Sequence, residues 1–147
     1  MRIIQRGFTF IEVLTVLSII AVSTLGVLKM RDWALSNARV GEAKALIATA
    51  QAGVQLWQPQ RGLYDGVTTQ ALSAIAAVPT HWLDGTAMNP WGGAIDISAD
   101  SADSTRYIIR LTGITRASEG ARLAHDLAQT AVVASFTGST LSATFQG

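Results

Sequence analysis

The chain of 147 residues contains no cysteine. Disulfides, iron–sulfur clusters and thiol catalysis are therefore excluded, although the compartment stays open, because exported bacterial proteins also do without cysteine. Charge is scarce as well, at 14% of residues against 49% hydrophobic. Lys and Arg number 11 and Asp and Glu 10, so no basic field exists to grip nucleic acid. Proline is missing until Pro59, which leaves a long stretch free of the strongest helix breaker. The length is that of one domain.

What is present is concentrated at one end. From Phe8 to Leu28 the sequence is apolar or small except for Glu12. As a helix these 21 residues are about 32 Å long, enough for a hydrocarbon core of roughly 30 Å. Arg2 and Arg6 precede the run and Lys29 and Arg31 follow it, so basic residues alone do not orient it. A secretory signal has a shorter apolar core that ends in a small-residue cleavage site. A plain N-terminal anchor is the simplest reading, except that Glu12 is costly in lipid and requires a partner. A free amine at Phe8 of another chain would be such a partner, if the chain were cut after Gly7.

Arg6-Gly7-Phe8-Thr9-Phe10-Ile11-Glu12-Val13 with the apolar run behind it resembles the processing signal of type IV pilins and pseudopilins. The resemblance implies that a prepilin peptidase removes Met1–Gly7 and N-methylates Phe8. It also implies that Glu12 pairs with the terminal amine of a neighbouring subunit. A buried ion pair gains little net stability over an apolar pair, but a slipped register leaves a bare charge, so Glu12 is expected to set register.

The helical pattern continues past the run. Trp33, Ser36, Val40, Ala43, Ile47, Ala50, Val54 and Trp57 recur at alternating steps of three and four, and Leu46 and Leu56 widen that face. A coiled coil and packing on the chain's own globular half both fit; the small residues Ala43 and Ala50 suit the second. Helix from Phe8 to Gln58 would be about 77 Å long. Gly26, Gly41 and Gly53 are expected weak points.

Gln58-Pro59-Gln60-Arg61-Gly62 is expected to end the helix. Thr68 or Thr69 caps a short helix to Ala77 with Leu72, Ile75 and Ala76 as its apolar side and Pro79 as its stop. Asn89-Pro90-Trp91-Gly92-Gly93 is turn chemistry. Ala94–Ser98 and Thr105–Thr112 read as a hairpin joined by a polar loop. Residues 117–130 form a helix with Ala117, Ala121, Ala124, Leu127, Ala128 and Ala131 on one face. Val132–Phe136 and Thr140–Phe145 are short strands.

The expected class is α+β: a long N-terminal helix, then a small antiparallel sheet with two short helices. The segment from Ala77 to Thr130, with its Asn-Pro-aromatic-Gly-Gly turn leading into a strand, resembles the type IVb pilin branch of toxin-coregulated, bundle-forming and conjugative thin-pilus subunits. The expected organisation is a leader at 1–7, a membrane or filament-core half-helix at 8–30 and a periplasmic or extracellular head at 31–147. Three features depart from that branch. The leader is short, Phe8 is the first residue typical of type IVa, and the paired C-terminal cysteines are missing.

No catalytic constellation stands out, so an enzyme is not expected, and no cofactor is implied. His81 and His125 lack metal-ligand spacing. Asp96, Ser98, Asp100 and Asp103 mimic the opening of a calcium loop, but its Gly position is Ser101 and its closing Glu position is Tyr107. Trp57, Trp82 and Trp91 are expected to pack rather than bind sugar. The reading is a pilin subunit held in the bacterial inner membrane and then polymerised with itself into an extracellular filament for adhesion, aggregation or conjugation. Its partners would be prepilin peptidase and an ATPase-driven inner-membrane assembly platform, with no nucleic acid. A minor pilin or secretion-system pseudopilin is the rival within the class. A membrane-anchored periplasmic binding domain that never assembles is the rival outside it.

Overall fold

The computed structural model describes residues 7–57, 62–83 and 89–147. The leader residues 1–6 and the expected helix stop at residues 58–61 lie outside them. The chain divides into two compact units, Met1–Asn37 and Ala38–Gly147.

Helix α1 runs Phe10–Trp57, 48 residues without a break. In the first unit its side chains are almost all exposed, Phe10, Ile11, Leu17 and Ile20 among them. Three of the hydroxyls within the apolar run are satisfied inside the helix. Thr15 donates to the Ile11 carbonyl (2.8 Å), Ser18 to Leu14 (2.8 Å) and Thr24 to Ile20 (2.7 Å). Such back-bonding removes the cost of carrying a hydroxyl into an apolar medium.

In the second unit α1 buries Val40, Ala43, Ile47, Ala50, Gly53 and Val54, which is the stripe expected from the sequence. Its ends differ from expectation. Trp33 is 69% exposed and Leu56 76% exposed, so neither belongs to the head's core. Gly53 is no weak point: a Cβ there would meet the Ala77 carbonyl and Val78 at 2.8 Å. The glycine is what lets the helix approach that backbone.

Four strands form one antiparallel sheet in the order β1-β2-β4-β3, with β1 at Ile95–Ala99, β2 at Arg106–Leu111, β3 at Val133–Thr137 and β4 at Thr140–Gln146. Ile97 pairs with Ile109, which pairs with Ala143. Alternation puts Ile95, Ile97, Tyr107, Ile109, Leu111, Leu141, Ala143 and Phe145 on one buried face, in one core with the α1 stripe. Arg110 and Asp96 (3.4 Å) lie on the other face. The arrangement is α+β, a long N-terminal helix packed on a small four-stranded antiparallel sheet, consistent with the type IV pilin fold.

The outer edge of β1 is covered. Ala99 N–H donates to the Val67 carbonyl (3.2 Å) and Ile97 N–H to Thr69 Oγ1 (2.9 Å). Thr69 opens α2 (Thr69–Ala74), which Thr68 caps by accepting from Ala71 N–H. That helix is shorter than expected. Ala76 takes a positive φ of 55°, so the chain leaves the helix before Pro79, and Ile75 ends 52% exposed instead of buried.

Helix α3 spans Ala117–Leu127 and packs on β3 and β4. The alanine face expected from the sequence is buried only in part, at Ala124 and Leu127 with Ala131 packed beside the core. Glu119, Gly120, Leu123, Ala124 and Leu127 face inward, while Ala117, Ala121 and Ala128 are exposed. Leucine buries far more apolar area than alanine, so Leu123 and Leu127 decide the rotation. The consequence is a carboxylate turned into the core.

Candidate processing and assembly site

Gly7, Phe8 and Thr9 precede the first turn of α1 and are not helical. Phe8 is 88% exposed. Thr9 N–H donates to Glu12 Oε2 (2.8 Å), as does the Thr9 hydroxyl (2.9 Å), and Glu12 N–H donates back to Thr9 Oγ1 (3.3 Å). This is the reciprocal capping box of a Thr-x-x-Glu sequence. It satisfies orphan donors at the start of the helix and sets a carboxylate near the positive end of its dipole. Glu12 therefore has a partner within its own chain. The sequence carries this signal in Thr9-Phe10-Ile11-Glu12, and a reading of Glu12 as an intersubunit group alone misses it.

Phe8, Glu12, Val13 and Val16 line one open apolar groove on this end of the helix. Among the described residues nothing lies within 4 Å of where a Cβ on Gly7 would stand. A short non-helical lead, an exposed aromatic and a carboxylate one turn on make an accessible backbone segment beside a single negative charge.

Asn89, Pro90, Gly92 and Gly93 come together in the second unit as the turn into β1. Asn89 is buried and fully engaged. Its Oδ1 accepts from Trp91 N–H and Gly93 N–H, both at 3.0 Å. Its Nδ2 donates to the carbonyls of Thr112 (2.7 Å) and Ala94 (3.2 Å). Gly92 closes the turn onto the Asn89 carbonyl (2.9 Å) with φ at 86°, a conformation that favours glycine. A Cβ on Gly93 would run into the Thr112 carbonyl. These residues splice the turn to the end of β2; they are a structural joint with no open chemistry.

A cluster that the sequence did not announce lies beside this joint. Glu119, with a side chain 1% exposed, accepts from Trp91 Nε1 through Oε2 at 2.5 Å. Its Oε1 sits 3.7 Å from the Arg39 guanidinium of α1 and 3.9 Å from Arg116. Oε1 accepts no hydrogen bond among the described residues. Two turns further along α3, Asp126 meets Lys44 of α1 at 2.6 Å. The Lys44 ammonium, hydrogen-bonded to it, holds the Asp126 carboxyl below its ordinary value. The α1–α3 seam is thus cross-linked twice by opposite charges.

The acids of β1 and of the loop to β2 go separate ways. Asp96 faces Arg110, Asp100 accepts from Ala102 N–H (3.0 Å), and Asp103 accepts from Thr105 and meets Arg106 (3.1 Å). The hydrogen bonds from Thr105 lower the Asp103 carboxyl. Among the described residues no three His, Cys, Asp or Glu side chains gather to hold a metal.

No curated protein matches the chain. The family described as the prokaryotic N-terminal methylation motif matches residues 3–28. The match ends where the apolar run ends and does not extend to the head. Residues 3–28 carry a type IV prepilin-like processing signal, and with the fold behind it this points to a structural protein of the pilin or pseudopilin kind.

Proposed function

We propose that the protein is a type IV pilin subunit of the IVb-like branch. Prepilin peptidase cuts between Gly7 and Phe8 and N-methylates Phe8. The precursor waits in the bacterial inner membrane with residues 8–30 in the bilayer and the head outside. An assembly platform driven by an ATPase then moves the helix from lipid into a filament of like helices, a transfer between two apolar media that costs little hydrophobic energy. The filament serves adhesion, aggregation or conjugation. Glu12 exchanges its Thr9 partners for the methylated amine of a neighbouring subunit and so fixes the axial register.

The observation that supports this most is the one carboxylate in an otherwise apolar helical run, held beside an exposed Phe8 inside the methylation motif. Mass spectrometry of sheared surface material tests it. Methyl-Phe8 as the first residue is expected. Full-length chain beginning at Met1, found only in the membrane fraction, would overturn it.

A minor pilin or pseudopilin shares every residue of this site, and the Asn89–Gly93 turn is what favours the IVb-like reading. A membrane-anchored binding domain is separated by Glu12→Ala. A pilin variant is still cut but assembles poorly, whereas an anchor is indifferent.

A further inference from the structure

Immediately beyond the apolar run stand Lys29, Arg31 and Trp33, all exposed, with Trp33 at 69%. Among the described residues no ion pair or side-chain hydrogen bond involves any of the three. The first buried residue of α1 is Val40, two turns later, so the head's core does not claim them. Lys29 and Trp33 are four residues apart and share one side of the helix, while Arg31 projects from the opposite side. The two cations therefore stand on opposite sides of the rod, with the exposed Asp32 in the same turn leaving a net charge of one positive. A protein partner that docks on one side would meet only part of this set, whereas a plane of headgroups meets all of it.

The dimensions agree. Four rises from Lys29 to Trp33 span about 6 Å, the thickness of one headgroup layer, which is roughly 5–7 Å on each side of the core. From Phe10 to Lys29 is about 29 Å of helix, matching the hydrocarbon core. Lysine and arginine stems reach outward to phosphate from that depth, and tryptophan is at home with its ring at the interface.

We infer that Lys29, Arg31 and Trp33 form a collar that docks on the anionic phosphate headgroups of the leaflet from which α1 emerges. The collar holds α1 at one depth and so keeps the Gly7–Phe8 bond level with the opposite face, where a peptidase reaches it. This rests on the membrane-stored precursor described above.

Because the chain has no cysteine, Met30→Cys carries a spin label at a unique, exposed site. The labelled full-length chain is placed in vesicles of phosphatidylglycerol or of phosphatidylcholine, and label depth is read from collisions with a water-soluble and an oil-soluble relaxing agent. In phosphatidylglycerol the label is expected at headgroup level. Adding K29Q, R31Q and W33A should sink it by about 5 Å, one helical turn, and erase any difference between the two lipids. Equal depth with and without the three substitutions overturns the collar and leaves the pilin reading standing. Failure of the chain to float with either vesicle overturns both. W33A alone, with both cations kept, should give an intermediate depth in phosphatidylglycerol; a full shift there would remove the headgroup charge from the account.

Discussion

Trp91, on the turn before β1, donates its indole N–H to the buried Glu119 of α3 at 2.5 Å, and the other oxygen of that carboxylate faces Arg39 of α1. Three elements far apart in sequence meet at one acid. The chain has no cysteine, and α3 is anchored through Glu119 and through the Lys44–Asp126 pair.

Replacing Glu119 with Ala removes the acceptor of a buried indole N–H and the charge that faces two guanidiniums. A buried donor left without a partner costs about 1–3 kcal/mol. The guanidiniums are themselves partly exposed and recover water. Glu119→Ala should therefore lower the head's stability within that range in urea unfolding, and Glu119→Gln, which still offers a carbonyl to Trp91, should lose less. Equal losses would show that the indole bond contributes nothing.

Gly120 is fixed by contact, not by backbone conformation. A Cβ there would enter the ring of Phe136 on β3. Overpacking of this kind costs about 1–3 kcal/mol. Gly120→Ala should destabilise by that amount, and Phe136→Leu in the same chain should return part of it. A double-mutant cycle measures the coupling; additivity would mean that α3 and β3 do not press on each other there.

Asn89→Ala forfeits four hydrogen bonds at once and leaves the carbonyls of Thr112 and Ala94 and two N–H groups short of partners. Asn89→Asp keeps the acceptor but sets a negative charge against the same two carbonyls. Both variants should unfold several degrees below the native chain, with Asn89→Asp recovering as pH falls below the range of its new carboxyl. A melting temperature of Asn89→Asp that does not change with pH would contradict this geometry.

Tyr107 is 2% exposed, and burial, with the nearby Tyr64 adding, pushes its hydroxyl up to about 12, while a hydrogen bond with Gln51 pulls the other way. Its pKa in the folded chain lies above that in the unfolded chain, near 10. The stability this provides is complete below pH of about 10 and is lost as pH rises toward 12. A difference of that size corresponds to roughly 2–3 kcal/mol. Tyrosinate absorbance should show one tyrosine ionising only together with unfolding, and Tyr107→Phe should flatten the alkaline part of the stability curve.

Asp126 behaves in the opposite sense at the acid end. Its carboxyl is lowered by Lys44, so the stability it lends is present above its unfolded pKa of about 4 and is lost as pH falls through the lower folded value. The pair is partly exposed, so Lys44→Ala should weaken acid resistance slightly and be blunted by salt. A salt-independent effect would place the contribution of Lys44 in packing.

The sequence alone determined the local periodicities and the processing signal. An apolar run of membrane length, the acid within it and the residues before it are contiguous, so composition and spacing display them directly. The same holds for the stripe Val40–Val54 and for the strands, where alternation along each short run leaves one choice of face. Thr9 was equally legible as a capping partner of Glu12, since the two stand at the Thr-x-x-Glu spacing.

Tertiary structure decided what depends on contacts between distant segments. Only packing could choose which face of α3 turns inward, because alanines are nearly indifferent while Leu123 and Leu127 compete for one core. That choice buried Glu119 and made partners of Arg39 and Trp91, which lie 80 and 28 residues from it in the chain. It also decided that Gly53 and Gly120 are points of close approach. A glycine's role is set by the atom that comes to lie against it, and no local pattern names that atom.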